Sequence, residues 1–341
     1  MSAKPVDVVR WGMIGCGDVT EVKSGPALHK ASHSCLVAVA SRDPAKAADY
    51  ARRHAVPRSC VGPDDVIADD DVDAVYVATP PASHCELALR VAAAGKPCLV
   101  EKPMAINHGE CVRMLDAFRT ANVPLFVAYY RRALPRYLKA RELLRQGAIG
   151  RLTSVHVFRY DRLAACDAAR AWRFDPAVGG AGLFFDLASH EFDLLDFLGG
   201  PVACVAGRSV NTGGTYAAED VTSASFFFES GLIGTGVWNF NASRTDDGIV
   251  FEGSDGQLSI PVFTDSELLL QKDGREERMP FVNPPHVHQP LIQTIVDELR
   301  GCGKCESTGR SAARASWVMD QCVQAYYQDQ RRSGRPGVIR G

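Results

Sequence analysis

The chain has 341 residues, is 46% hydrophobic and 23% charged, and carries a formal net charge of −2. That length exceeds what one hydrophobic core usually organises, so two domains are expected. The near-neutral charge gives no electrostatic basis for a nucleic-acid or anionic-membrane partner, and no apolar run nears the roughly 18 residues of a membrane span.

Met1 to Arg10 carries Lys4, Asp7 and Arg10 and lacks the apolar centre of a signal peptide, which predicts a cytoplasmic protein. Apolar runs follow at Val8–Ile14, Leu36–Ala40, Ala74–Ala78, Cys98–Val100 and Leu125–Ala128. Between them lie helical patterns at Pro44–His54, Ser83–Ala94 and Gly109–Ala121. Strands that are apolar throughout and separated by helices predict a doubly wound parallel sheet covered on both faces, forming a first domain over residues 1–130.

From residue 131 the pattern changes. Arg136–Gln146 reads as helix, Leu152–Tyr160 as strand and Phe184–Phe197 as helix again. Val202–Val210, Val221–Phe228, Leu232–Phe240, Ile249–Glu252 and Leu258–Ile260 read as consecutive strands broken by glycine turns, which predicts a large open, mostly antiparallel sheet. Helices at Pro290–Arg300 and Ala312–Gln330 close the chain before a polar, glycine-rich tail. The whole is an α/β fold with a second, α+β domain over residues 131–341, whose last helices can return to the first domain.

The eleven cysteines are scattered, and several fall in apolar runs, so they read as small buried hydrophobes rather than a disulfide framework. Cys302 and Cys305 have the spacing of a metal or redox pair, and His286 and His288 flank one residue, but neither pair has further ligands nearby. No metal is expected. The histidine segment reads as a loop into the last helices.

Gly15-Cys16-Gly17-Asp18-Val19 follows the first strand directly. A G-x-G turn there lets the backbone approach a pyrophosphate, which meets the N-terminus of the next helix at Asp18 and Val19. Thr20 replaces the third glycine of the usual fingerprint. The second strand ends in Ser41-Arg42, where NAD-binding versions place an acid for the ribose hydroxyls. A hydroxyl and a guanidinium suit a 2′-phosphate, so NADP is expected over NAD. Asp43, before Pro44, is placed to cap the following helix.

In the second domain, Asp186 and His190 are four apart on a predicted helix and share one face. A carboxylate beside an imidazole can move a proton near neutral pH. Asp193 can also reach the ring, and Asp196 reads as a solvated helix residue. Lys102 stands at the carboxyl end of a parallel strand, where ligands of open α/β sheets gather. Pro103 after it is a candidate for a cis peptide bond.

Four motifs in order bring these residues together: Gly15-x-Gly17, Thr79-Pro80-Pro81-Ala82-Ser83-His84, Glu101-Lys102-Pro103, and Trp172-Arg173 ahead of Gly180-Ala181-Gly182 with Asp186 and His190. Over essentially its whole length the chain resembles the glucose–fructose oxidoreductase/inositol dehydrogenase/rhizopine-catabolism (Gfo/Idh/MocA) family. Ala181 interrupts a run that in the family is often three glycines. The resemblance implies a Rossmann domain, a second domain on a large sheet whose outer face joins subunits into a homodimer or homotetramer, and a small-molecule substrate. It also implies that Lys102 reaches nicotinamide and substrate while Asp186 and His190 complete the catalytic set.

Thr79, Pro80, His84 and Glu101 are then expected around the cofactor, with Tyr130, Arg132, Trp172 and Arg173 toward the substrate. Tyr130-Arg131-Arg132 and Trp172-Arg173 read equally as a solvated cationic run and as a core tryptophan with a paired arginine. The chemistry expected is reversible hydride transfer at a carbinol carbon of a sugar, polyol or related cyclic alcohol. His190 takes the hydroxyl proton, Lys102 holds the oxygen and Asp186 orients the imidazole; the alternative gives the proton to Lys102. Rival activities are a glycosidase that oxidises its sugar transiently, a dihydrodiol-type dehydrogenase, and a cofactor-binding regulator without catalysis.

Overall fold

The computed structural model describes residues 7–162 and 172–333. Lys4, Cys166 and residues 334–341 of the polar tail lie outside them. The described chain forms two compact units. The first holds the residues through Ala105, Gly109–Leu134 and Asn283–Ala313, and the second holds Ile106–His108, Pro135–Val282 and the residues from Arg314 onward.

In the first unit six parallel strands run in the order β3-β2-β1-β4-β5-β6: β1 Val9–Ile14, β2 Ser34–Ala40, β3 Arg58–Cys60, β4 Ala74–Val77, β5 Cys98–Val100 and β6 Leu125–Val127. The order reverses between β1 and β4, the switch point at which such sheets bind ligands. The strands are apolar on both sides because both faces are covered. Val75, Val77, Cys98, Val100 and Val127 pack in one cluster, whereas Trp11, Met13, Tyr76, Leu99 and Phe126 pack in the other. Helix α10 (Gln289–Leu299) belongs to this unit, and its Leu291, Ile292, Ile295 and Val296 complete the second cluster. The edge strand β3 was not legible in the sequence, since its Arg58-Ser59-Cys60 carries no buried residue.

The second unit is built on eight strands in the order β14-β13-β12-β11-β7-β10-β9-β8. They are β7 Leu152–Arg162, β8 Val202–Val210, β9 Val221–Phe228, β10 Ile233–Asn239, β11 Asn241–Gly253, β12 Gly256–Ile260, β13 Leu268–Lys272 and β14 Arg275–Met279. β7 and β10 pair in parallel, and the other pairs are antiparallel. Strand β14 also escapes sequence reading, because four of its five residues are exposed and show no alternation.

Helix α9 (Leu183–Gly199) is buried from Phe184 through Leu195 apart from Leu187. Trp238 on β10 holds it by ring contacts with Phe184 at 5.1 Å and Phe192 at 5.0 Å, and by an indole hydrogen bond to Glu191 at 2.5 Å. A helix enclosed on all sides places its polar residues in low dielectric, where their partners decide their chemistry. Asp196 is not the solvated helix residue that the sequence suggests: its side chain is 6% exposed and is gripped by Arg314 of α11 (Gly309–Ser333) through contacts of 2.6 and 2.9 Å. Among the described residues no helix is long and apolar enough to cross a membrane. All ten cysteines described are free; Cys16, Cys85, Cys98, Cys111, Cys305 and Cys322 are buried, whereas Cys204 and Cys302 are exposed, against the expectation of burial.

Candidate active site

In the first unit the candidate cofactor residues gather at the carboxyl ends of the strands. Gly15 follows β1 at φ +110°, and a Cβ there would stand 2.5 Å from the Ala78 carbonyl, so only glycine fits. Gly17 precedes α1 (Asp18–Val22) with nothing within 4 Å of where a Cβ would be. No side chain caps α1, which leaves the first-turn amides of Asp18 and Val19 for an anionic group. Thr20, in place of the third glycine, is fully buried and its hydroxyl donates to the Gly17 carbonyl at 2.7 Å. The residues therefore fit a dinucleotide pyrophosphate.

At the end of β2, Asp43 caps α3 (Pro44–Arg53), accepting amides of Ala45 at 3.0 Å and Lys46 at 3.4 Å. Its carboxylate is thereby engaged on the helix. Ser41 is half-buried, and Arg42 is exposed with no ion pair among the described residues. Thr79 and Pro80 follow β4, where the Thr79 hydroxyl accepts from Ser83 at 2.7 Å.

His84 is fully buried, with Nδ1 3.0 Å from the Pro103 carbonyl and Nε2 2.7 Å from the Thr79 carbonyl. Burial holds its pKa below the usual imidazole range, although both backbone contacts pull upward. The ring ties the turn after β4 to the turn after β5.

Glu101 and Lys102 follow β5, and the Lys102–Pro103 peptide is cis, as the sequence suggests. Glu101 is 7% exposed and works on the protein itself. It accepts the Tyr76 hydroxyl at 2.5 Å and the Lys102 amide at 3.1 Å, and stands 3.2 Å from His288 Nε2. Burial alone would raise its pKa; the hydrogen bond and charge of His288, then Tyr76 and Lys102, hold it at about 2. Lys102 itself is half-buried. Tyr130 stacks 4.5 Å from the His288 ring and accepts from Arg131 at 3.1 Å. Arg131 and Arg132 are both 7% exposed, which removes the reading of a solvated run, and Arg132 donates to the Glu306 carbonyl at 3.2 Å.

In the second unit Asp186 and His190 lie on α9, buried at 7% and 4% exposure, with Asp186 in the first turn, where the helix dipole favours an anion. Arg173 pairs with Asp186 at 3.4 Å and lies over the Trp172 ring at 5.4 Å. Thus Trp172, Arg173 and Asp186 are brought into one chain of contacts. Phe263 stands edge-on to His190 at 6.0 Å.

The loop before α9 is shaped by close approach. A Cβ on Gly182 would lie 2.7 Å from the Glu219 carbonyl, and the Gly182 amide donates to the Glu219 carboxylate at 3.0 Å. Burial pushes Glu219 up to about 7, against the bonds from Tyr327 and Gly182. His288, Tyr76 and Glu219 were not singled out as site residues from sequence. Each acts on a motif residue far away in the chain, and only the His286-x-His288 spacing left any trace.

Residues 9–129 match the family described as an oxidoreductase family with an NAD-binding Rossmann fold, and residues 137–259 match a GFO/IDH/MocA C-terminal domain. "Oxidoreductase P35" of Formosa agariphila is 37% identical over 316 residues, covering 92% of this chain and 97% of its own. A 1,5-anhydro-D-fructose reductase of Ensifer adhaerens is 27% identical over 309 residues, covering 88% and 91%. The fold is also that of a levoglucosan dehydrogenase solved with NADH and levoglucosan, at TM-score 0.81, 22% identity and coverage of 94% and 98%. The two domain matches and the 37% identical relative show that the chain belongs to the Gfo/Idh/MocA family of NAD(P)-binding oxidoreductases.

Proposed function

We propose that the protein is an NADP-preferring oxidoreductase acting at a carbinol carbon of a sugar, polyol or related cyclic alcohol. The observation that carries this reading is the seat of Lys102: an amine at a strand's carboxyl end, its backbone held by a buried carboxylate on one side and, through Pro103, by His84 on the other. A nicotinamide dinucleotide, when bound, supplies or accepts the hydride. Gly15, Gly17 and the amides of Asp18 and Val19 hold its phosphates, and Thr79, Pro80, His84 and Glu101 shape the turns around it.

In the oxidation direction His190 takes the hydroxyl proton, Lys102 holds the same oxygen as it becomes negative, and Asp186 orients the imidazole. Tyr130, Arg132, Trp172 and Arg173 contribute to substrate binding. The preference for NADP is supported by Arg42, exposed and without an ion pair among the described residues, beside an Asp43 already engaged as a helix cap.

An anhydrosugar is the first class to try, since relatives include the anhydrofructose reductase and the levoglucosan dehydrogenase. The test is a screen of sugars, inositols, anhydrosugars and dihydrodiols with both cofactors, following reduced-nicotinamide absorbance. Cleavage of a glycoside with no net change in that absorbance would replace this reading by the glycosidase.

The same proposal includes a homodimer or homotetramer through the outer face of the eight-stranded sheet, working in the cytoplasm. His156, Phe158 and Tyr160 form a row of rings there at 5.8 and 6.0 Å spacing, and Phe227 and Ile233 are 50% and 46% exposed. Light scattering of the purified protein, with Phe227→Glu as the breaking variant, checks it.

A further inference from the structure

Glu101 and His288 are 187 residues apart in the chain, yet His288 Nε2 stands 3.2 Å from Glu101 Oε1. His288 is 2% exposed. The Glu101 carboxylate takes three contacts: Tyr76 and His288 at Oε1, and the Lys102 amide at Oε2. An ionised carboxylate in that position requires the facing Nε2 to carry the hydrogen between them, which fixes the orientation of the ring. Nδ1 is buried and has no hydrogen-bond partner among the described residues.

This is a poor arrangement for stability alone. A phenylalanine at position 288 with an apolar residue at 101 would keep the stack on Tyr130 and bury neither a charge nor an unpaired nitrogen. What the arrangement does accomplish is directional. The Lys102 amide is fixed by Glu101, Glu101 is fixed by His288 and Tyr76, and the next carbonyl, that of Pro103, is fixed by His84 at 3.0 Å.

We propose that His288 is a positioning residue: through Glu101 it sets the direction in which the Lys102 side chain leaves the end of β5. The inference rests on the reading that Lys102 serves the nicotinamide site. The wild-type full chain and its His288→Ala and His288→Gln variants are labelled competitively with acetic anhydride, and Lys102 is scored against exposed Lys304 by mass spectrometry.

Without cofactor, His288→Ala should change the relative reactivity of Lys102 by about threefold or more, and His288→Gln, whose amide can still donate to Glu101, should restore it. Unchanged Lys102 reactivity in His288→Ala overturns the proposal, as does a Gln variant that behaves like Ala. Should His288→Ala fail to fold, the comparison is Gln against the shorter Asn, and equal reactivity in those two overturns it.

A second arm repeats the labelling with NADPH and with NADH. Protection of wild-type Lys102 supports its place beside the nicotinamide. Lack of protection removes that reading, while the cofactor-free comparison still decides the dyad.

Discussion

Glu219 caps α9 from 37 residues away, its Oε1 accepting the amide hydrogen of Gly182 at 3.0 Å. The amide it takes is that of the N-cap residue itself, and the missing Cβ of Gly182 is what lets the β-rich segment come close enough.

Burial raises Glu219 to about 7 from an unfolded value near 4.5, so between those values the folded state holds a proton that the unfolded state has lost. Stability therefore falls as pH rises through this window, by at most about 1.4 kcal/mol per pH unit. Glu219→Gln should flatten the dependence. Urea unfolding midpoints of wild type and variant at intervals across the window measure it, and a wild-type slope no more negative than that of Glu219→Gln contradicts the assignment. Asp220, Tyr326 and Tyr327 surround the same carboxyl and should be held unchanged in the comparison.

Removing the guanidinium next to Asp43 tests cofactor choice. Arg42→Ala should weaken NADPH binding about tenfold, the size of one charge-assisted bond, and leave NADH nearly unaffected. Fluorescence titration with both reduced cofactors reads this directly. An equal loss for both would show that Arg42 does not contact the 2′-phosphate.

Lys102→Ala and His190→Ala should each lower kcat by about a hundredfold or more, without additivity in the double variant if the two act on one oxygen. Single-turnover kinetics with the alcohol found in the screen gives the numbers. Near-wild-type turnover in either single variant would withdraw that residue's role.

The Asp196–Arg314 pair yields a stability prediction. Replacing Arg314 by Met leaves a nearly enclosed carboxylate without its two donors, at a cost of about 1–3 kcal/mol, the lower half being expected because Arg314 is itself 39% exposed. Asp196→Asn in the Arg314→Met background should recover part of the loss. Urea unfolding of the four proteins closes the cycle.

What was legible in the sequence follows from burial. β1, β2, β4, β5 and β6 are enclosed by helices on both faces and so read as unbroken apolar runs, whereas β3 and β14 lie at sheet edges and carry polar residues. Gly15, Lys102, Pro103 and Glu101 were visible because a glycine, a proline or a charge directly after an apolar strand breaks the pattern that packing alone would produce. Their supports were not. His288 reaches Glu101, Glu219 reaches Gly182 and Arg314 reaches Asp196 over separations of 187, 37 and 118 residues, and no local spacing encodes such pairings.

Helix α10 covers a sheet whose last strand ends about 160 positions before it, at Val127. A ribosome making this chain thus delivers the nucleotide-binding sheet long before the strip that seals one of its faces. During that interval Trp11, Met13, Tyr76, Leu99 and Phe126 wait on Leu291, Ile292, Ile295 and Val296. Cutting the gene after the sixth strand should therefore leave those side chains uncovered and yield an aggregation-prone fragment in place of an autonomous cofactor-binding module.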